Sequence, residues 1–320
     1  MDPSAFPTLD PELAPVLELL PDMTQGFADV EAARALLKTF LPTGPVPGEE
    51  LLDVSDVVAE GVPLRVYRPR TGTTCGVLYL HGGGFCVGDL DSEHAGAVQI
   101  ANEVDAVVVS VGYRLAPEHP YPAGLDDCLV GLRHLATLAG PLAVHGQSAG
   151  GGLAAATVLR NHDEGGPAVA FQSLGMPELD DRLETASMEQ FLATPLWSRP
   201  QAIKSWEHYL GGRPADHYAA PARREDLSGL PAAHVFTMEL DPLRDEGITY
   251  ALRLLQAGVS VELHSYPGTF HGSSLVVDAA VSKRMSEDLL GALRRGLRRQ
   301  AGASTARAAP IGSRAPHSSA

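Results

Sequence analysis

A serine in a GxSxG pattern lies near the middle of the chain, at Ser148. Residues 142–145 before it have the pattern of a strand, and residues 152–159 after it have the composition of a helix. A serine on a tight turn between a strand and a helix presents its hydroxyl clear of the backbone, provided that its neighbours are small. Gly146, Ala149 and Gly150 meet that requirement. The pattern therefore predicts a nucleophilic serine.

A second glycine-rich segment, His81-Gly82-Gly83-Gly84-Phe85, follows the strand-like residues 77–80. Consecutive glycines let the backbone turn its N–H groups toward one point, and loops of this HGGG type form oxyanion holes. The alternative is a simple glycine-rich turn. We predict an oxyanion hole made by the N–H groups of Gly83 and Gly84 with that of Ala149, the residue after the serine.

A serine hydroxyl becomes a good nucleophile only when a base takes its proton and an acid orients that base. In a fold with a GxSxG turn, the acid and then the histidine follow the serine along the chain. Asp241 comes directly after the strand-like residues 235–240, and His271 lies in the loop after another predicted strand at 259–265. We therefore predict a catalytic triad of Ser148, Asp241 and His271.

Neighbouring acids and histidines are assigned structural roles. Asp245 and Glu246 fall in the first turn of a predicted helix, where carboxylates interact favourably with the helix dipole. Glu239 precedes the strand end. His264 lies within a predicted strand, and His81 opens the glycine loop, where orienting that loop is the simpler role.

Composition limits the partners. The formal net charge of the 320 residues is −15, which argues against nucleic acid and anionic membrane surfaces and favours a neutral or cationic small molecule. The first residues lack a secretory signal, no apolar stretch suits a membrane span, and the three cysteines are an odd number, so we predict a cytoplasmic protein. The sequence has no HExxH or CxxC motif and no GxGxxG after a strand, so we predict neither a metal nor a cofactor.

The elements that must position these residues alternate between strand and helix. Strands are predicted at 54–59, 64–67, 76–80, 106–111, 142–145, 169–174, 234–239 and 259–265, and helices at 92–103, 124–138, 152–159 and 278–299. This alternation predicts an α/β fold with a mostly parallel, doubly wound sheet of about eight strands.

The chain divides into a catalytic domain at 46–300 with flanking segments. Residues 1–45 contain two amphipathic stretches that favour helices, and residues 301–320 have the composition of a disordered tail. Residues 178–212 interrupt the alternation, and we interpret them as a helical cap that the N-terminal helices complete; an ordinary crossover with extra helices is the alternative. The predicted lining of an acyl pocket consists of Phe85 with the insert residues Met188, Phe191, Leu192, Trp197 and Trp206.

Five blocks in this order resemble the hormone-sensitive lipase-like family of carboxylesterases within the α/β-hydrolase fold. They are His81 to Phe85, residues 113–123 with Asp126 and Asp127, Ser148 to Gly151, residues 241–246, and His271-Gly272. The match covers roughly residues 50–290. It implies a helical cap, a tendency to dimerise, and hydrolysis of short to medium acyl esters without a cofactor.

One position departs from the family pattern. The family usually has aspartate before the nucleophile, whereas this chain has Gln147, which is neutral and longer, so the local hydrogen bonding must differ. The sequence predicts a serine carboxylesterase that acts through an acyl-enzyme. An amidase, a dehydratase or another acyl-transfer enzyme is the alternative, because one site recurs across chemistries. A non-catalytic receptor of the same fold is disfavoured because His271 is retained.

Overall fold

A computed structural model describes residues 1–20, 27–40 and 44–307. The strands are β1 (Leu52–Ala59), β2 (Val62–Pro69), β3 (Gly76–Leu80), β4 (Val107–Val111), β5 (Leu142–Gln147), β6 (Val169–Gly175), β7 (Ala232–Leu240) and β8 (Val261–Phe270). The helices are α1 (Val30–Phe40), α2 (His94–Val104), α3 (Ala123–Leu138), α4 (Ala149–Asp163), α5 (Ala186–Gln190), α6 (Arg199–Leu210), α7 (Arg244–Gln256) and α8 (Ala280–Arg307).

The described strands form one eight-stranded sheet in the order β1-β2-β4-β3-β5-β6-β7-β8. The β1–β2 and β2–β4 pairs are antiparallel, and all pairs from β4 to β8 are parallel. The predicted mostly parallel sheet of about eight strands is therefore confirmed. Its parallel strands all end at one edge, which is where ligands bind in open α/β sheets.

Both faces of the sheet are covered, and β4 shows why. All five of its residues are buried, because alternate side chains enter different cores. Val107 and Val109 belong to the core under α3, α4 and α7, whereas Val108 packs in the core under α2 and α8. A continuous run of valines suits a strand with helices on both sides.

The flanking segments differ in part from their prediction. The first N-terminal stretch is not an amphipathic α-helix but a 3₁₀ segment at Ala14–Glu18, with Pro15 at its start; the second is α1. Helix α8 extends to Arg307, beyond the predicted end at 299, so the backbone of residues 301–307 is helical. The remaining part of the predicted tail, 308–320, lies outside the described residues. No described helix is both long and apolar enough to cross a membrane.

Candidate active site

Three loops at the carboxyl edge of the sheet bring the predicted triad residues together. Ser148 follows β5, Asp241 follows β7 and His271 follows β8. The Oγ atom of Ser148 lies 2.9 Å from Nε2 of His271, and Nδ1 of His271 lies 2.7 Å from Oδ2 of Asp241. The three side chains thus form a continuous hydrogen-bonded chain, although they are distant in sequence.

The backbone at Ser148 has the strain expected of a nucleophile-bearing turn. Its φ of 57° lies in the left-handed region that non-glycine residues avoid, and its N–H donates to the carbonyl of Gly175 at 2.8 Å. Strand and helix approach so closely that a Cβ at Gly146 would lie 2.1 Å from the carbonyl oxygen of Gly150. Only glycine fits position 146, which explains the small residues of the motif.

Asp241 is fully buried and held by its own loop. Its Oδ1 accepts the N–H of Leu243 at 2.9 Å, which leaves Oδ2 for His271. Asp245, the neighbouring acid, pairs with Arg244 and accepts the N–H of Ser187, so it joins α7 to α5. These contacts agree with the structural role predicted for Asp245.

The glycine loop lies beside Ser148, because a Cβ added at Gly82 would lie 3.6 Å from the Cβ of Ser148. Gly83 and Gly84 adopt φ values of +116° and +54°, and Ala149 begins α4, a helix without a side-chain cap. Among the described residues, no acceptor takes the N–H of Gly83, Gly84 or Ala149. Free donors beside a nucleophile can stabilise the negative oxygen of a tetrahedral intermediate.

His81 holds the glycine loop, and none of its hydrogen bonds is to Ser148. Its Nδ1 lies 2.7 Å from the carbonyl oxygen of Gly82, and its ring stacks on Tyr113 with centroids 4.0 Å apart. The hydroxyl of Tyr113 donates to the carbonyl of His81 at 2.8 Å. Burial lowers the pKa of His81 to about 4, so the ring is neutral at pH 7. This arrangement supports the orienting role predicted from the sequence.

The insert covers the site through two aromatic contacts. The ring of Trp197 stacks on that of His271 with centroids 5.6 Å apart and meets Phe27 edge-on. Helix α6 rests on the glycine loop, where the Ser205 hydroxyl donates to the carbonyl of Gly84 and Phe85 stacks on Tyr209 at 3.9 Å. The segment predicted as a cap therefore contacts both the histidine and the loop.

The other predicted pocket residues separate into three groups. Trp206 lies beside Phe85, and Met188 is buried in the core that also contains Phe85. Phe191 packs in a different core with Leu13 and Phe270. Leu192 is 54% exposed, because it follows the end of α5 and faces solvent. We therefore withdraw the assignment of Leu192 to the pocket.

Glu178 was not singled out by the sequence. Its N–H donates to the carbonyl of Ser148, and its buried carboxyl oxygens have no hydrogen-bond partner among the described residues. Burial raises the pKa of Glu178 to about 8, with the charge of nearby Asp241 adding to the effect. Its position three residues after β6, at the same sheet edge as the triad, was the only signal available.

A cavity of about 450 Å³ opens elsewhere, between α1 and the segments that follow the glycine loop. It is lined by Arg34, Leu37, Lys38, Gly88, Asp89, Ser92, Leu115, Glu118 and His119, and by no triad residue. Arg34 is committed to Glu31, Glu118 and the carbonyl of Cys86. We therefore interpret this cavity as a space between α1 and the supporting loops, and not as part of the candidate active site.

Comparison with known proteins agrees with this geometry. A family model described as the alpha/beta hydrolase fold matches residues 77–275. The chain is 38% identical over 285 residues to "Esterase LipI" of Mycobacterium tuberculosis, covering 83% of this chain and 88% of that protein. It is 39% identical over 298 residues to "Carboxylesterase NlhH" of the same species, covering 86% and 93%. The solved structure titled "Bacterial Heroin Esterase" has a TM-score of 0.86 and 49% identity, covering 92% of this chain and 99% of that one.

The chain therefore belongs to the α/β-hydrolase fold family. Within that family it is a member of the hormone-sensitive lipase-like carboxylesterases, as the sequence blocks predicted, and it is an enzyme that hydrolyses carboxylic esters.

Proposed function

We propose that the enzyme is a serine esterase in which Ser148, His271 and Asp241 act as a catalytic triad. The observation that carries this proposal is the pair of short hydrogen bonds, 2.9 Å and 2.7 Å, that join the three side chains in order. Nε2 of His271 takes the proton of Ser148 as Oγ attacks the ester carbonyl carbon. Asp241 stabilises the imidazolium that forms, and it fixes the tautomer through Nδ1.

The tetrahedral intermediate collapses to an acyl-enzyme. Its oxyanion accepts the N–H groups of Gly83, Gly84 and Ala149. The imidazolium of His271 gives its proton to the departing alkoxide, and a water molecule, activated by the same ring, then releases the acid and restores Ser148. No cofactor enters these steps.

The proposed substrates are small esters with short to medium acyl chains. Support comes from Trp197 beside His271, and from Phe85 and Trp206 in the adjoining aromatic group, with Met188 in the same core. Each methylene that an acyl chain buries there contributes about 0.8 kcal/mol until the space is filled. Longer chains must displace the insert, which is closely packed on the glycine loop.

The cap in this proposal consists of residues 1–45 and the insert 178–212, placed on a catalytic domain at 46–300. Phe27 contacts Trp197, and Leu13 and Leu17 are fully buried in the core that contains Phe191. These contacts of Phe27, Leu13 and Leu17 support a cap to which the N-terminal segment contributes.

A trapping experiment tests the acyl-enzyme. The protein is mixed with p-nitrophenyl butyrate, quenched in acid and analysed by mass spectrometry after proteolysis. We expect a butyryl group on the peptide that contains Ser148, and none in Ser148→Ala. Acylation of a different residue, or turnover by Ser148→Ala comparable to the wild type, would refute the triad assignment.

A soluble ester series tests the substrate range. We expect kcat/KM to rise from acetate to butyrate or hexanoate and to fall steeply by palmitate, with amide and thioester analogues of the best acyl group run beside it. Phe27→Ala should flatten the preference, because it opens the contact with Trp197, whereas deletion of residues 1–40 tests the whole segment. A preference for palmitate would contradict the pocket, and an unchanged profile in both variants would contradict the cap.

Assembly and location complete the proposal. The resemblance favours a homodimer, which sedimentation of the purified protein tests directly. A reducing, cytoplasmic environment suits Cys75, Cys86 and Cys128, which are all unpaired in the structure.

A further inference from the structure

A cluster of metal-ligating side chains lies on the sheet far from the triad. His234 on β7 is the register partner of Glu262 on β8, so both side chains emerge on one face, and His264 follows on that face two residues later. One ligand atom from each of these three residues lies within 4.8 Å of the others. His234 precedes Asp241 by seven residues of extended chain, or roughly 20 Å.

The orientation of both rings is set by their second nitrogen atoms. Nδ1 of His234 lies 3.3 Å from the hydroxyl of Ser173, and Nδ1 of His264 lies 3.1 Å from a carboxylate oxygen of Asp288. Histidines that bind metal characteristically donate this N–H to a hydroxyl, carbonyl or carboxylate group, which fixes the ring and leaves Nε2 free to bind. The hydroxyl of Tyr266 donates to the same oxygen of Asp288 and holds it in place.

The Nε2 atom of His234 is the unexplained group in this cluster. It is fully buried and has no hydrogen-bond partner among the described residues, which is costly for a polar atom. Nε2 of His264 lies 3.2 Å from Oε1 of Glu262. Atoms bound to one tetrahedral Zn²⁺ are separated by roughly 3.3 Å, because each lies about 2.0 Å from the metal. This pair is therefore already spaced for a shared ion.

We propose that His234, Glu262 and His264 bind one divalent transition-metal ion of the Zn²⁺ type, which links β7 to β8. Two imidazole nitrogens and a carboxylate oxygen are a ligand set that Zn²⁺ accepts, with water as the fourth ligand. Binding gives the buried Nε2 of His234 the partner that it lacks among the described residues.

Positive side chains nearby set the affinity. The guanidinium of Arg295, on α8, donates to both oxygens of Glu262 at 2.7 Å and 2.8 Å, and that of Arg284 lies over the ring of Tyr266. The Arg295 side chain is 55% exposed, so it can leave Glu262 when the metal arrives.

The test is a calorimetric titration of the tag-free full chain with ZnCl₂, with CoCl₂ as a spectroscopic probe. We expect one ion per chain, a rise in Tm with Zn²⁺ concentration, and visible Co²⁺ absorption typical of a tetrahedral site. His264→Gln and Glu262→Gln should weaken binding by more than about 100-fold, and Asp288→Asn by about 10- to 100-fold. Arg295→Gln should tighten binding by up to about fivefold, because it removes a competing exposed ion pair.

Two variants make the result specific. His94→Gln is the matched control, because His94 also contacts a tyrosine and a carboxylate, Tyr67 and Glu49, but has no second histidine beside it; it should bind Zn²⁺ like the wild type. His271→Ala excludes capture by the triad and should also bind normally. Absence of binding in the wild type, equal binding in His264→Gln and Glu262→Gln, or loss of binding only in His271→Ala would overturn the proposal.

Discussion

Two regions in the described part of the chain place a serine beside a histidine, and we propose hydrolysis at one of them. At the carboxyl edge of the sheet, Ser148, His271 and Asp241 lie on three loops. Within the sheet, the hydroxyl of Ser173 lies 3.2 Å from Nδ1 of His145 and 3.3 Å from Nδ1 of His234. The residue types are alike, so their position along the strands makes the difference.

The position of each serine relative to its strand decides whether substrate can reach the hydroxyl and whether free backbone N–H groups lie close to it. Ser148 lies on a strained turn beside backbone N–H groups that have no acceptor among the described residues, whereas Ser173 lies inside β6, where the backbone groups belong to the ladder. Ser173 is fully buried, and burial lowers the pKa of His145 to about 4. The comparison teaches that a strand end can offer access and free backbone N–H groups, whereas the N–H groups inside a strand are used by the sheet.

The largest expected effect follows from removing members of the proposed triad. Ser148→Ala, Asp241→Asn and His271→Ala should each lower kcat by about 10⁴-fold or more, and double variants should lose little beyond that, because triad residues act as a unit. Steady-state kinetics on protein with a native melting transition measures the effect. Asp245→Asn is the matched control, and a loss equal to that of Asp241→Asn would show that the acid is wrongly assigned.

A smaller loss should follow from disturbing the oxyanion loop. In Gly84→Ala the added Cβ would lie 2.9 Å from ring atoms of Phe27 and Trp197, at a φ of +54°. The loop must shift, and we expect kcat to fall about 10²- to 10³-fold, as it does when an oxyanion donor is lost. Gly165→Ala also introduces a side chain at a positive φ, +66°, but meets no atom within 4 Å, so it controls for backbone strain. Equal kcat values in Gly84→Ala and Gly165→Ala would show that the glycine loop does not take part in catalysis.

For Glu178 we expect an effect on the free energy of unfolding rather than on the rate of ester hydrolysis. Its pKa is raised by burial to about 8, from the ordinary 4.5, so the folded state holds a proton that the unfolded chain releases. The stabilisation is complete below pH 4.5 and is lost as the pH rises toward 8, by about 1.4 kcal/mol for each unit of pKa shift. Urea unfolding of Glu178→Gln from pH 5 to 8 should therefore show a flatter dependence than the wild type. If the free energy of unfolding depended on pH in the same way in both proteins, the pKa of Glu178 would not be raised by folding.

Side chains at the strand ends could be placed together from the sequence, whereas contacts within the strands could not. Ser148, Asp241 and His271 could be predicted to lie together because each follows a strand or lies in a recognisable motif, and ends of parallel strands meet. His234 and His264 belong to no sequence motif. They lie close together because β7 pairs with β8, and the register of that pairing cannot be read from the sequence. Leu192 was assigned from apolar character alone, which does not show whether a residue beyond the end of a helix faces solvent. Glu178 acquires its properties from burial, which single residues do not reveal.

The smallest expected effect on rate is that of Ser173→Ala, and it tests the comparison most directly. The substitution removes a hydroxyl between two histidine rings, as Ser148→Ala removes one beside His271, yet kcat/KM should stay within about twofold of the wild type because no substrate can reach β6. Nδ1 of His145 keeps the carbonyl of Ser173 at 3.2 Å, whereas Nδ1 of His234 loses its hydroxyl contact. One buried polar atom without a partner costs about 1 to 3 kcal/mol, so the free energy of unfolding should fall by that amount. Unfolding and ester hydrolysis measured on one preparation decide the point: a rate loss approaching that of Ser148→Ala would show that the sheet interior takes part in the chemistry, and the contrast between the two regions would fail.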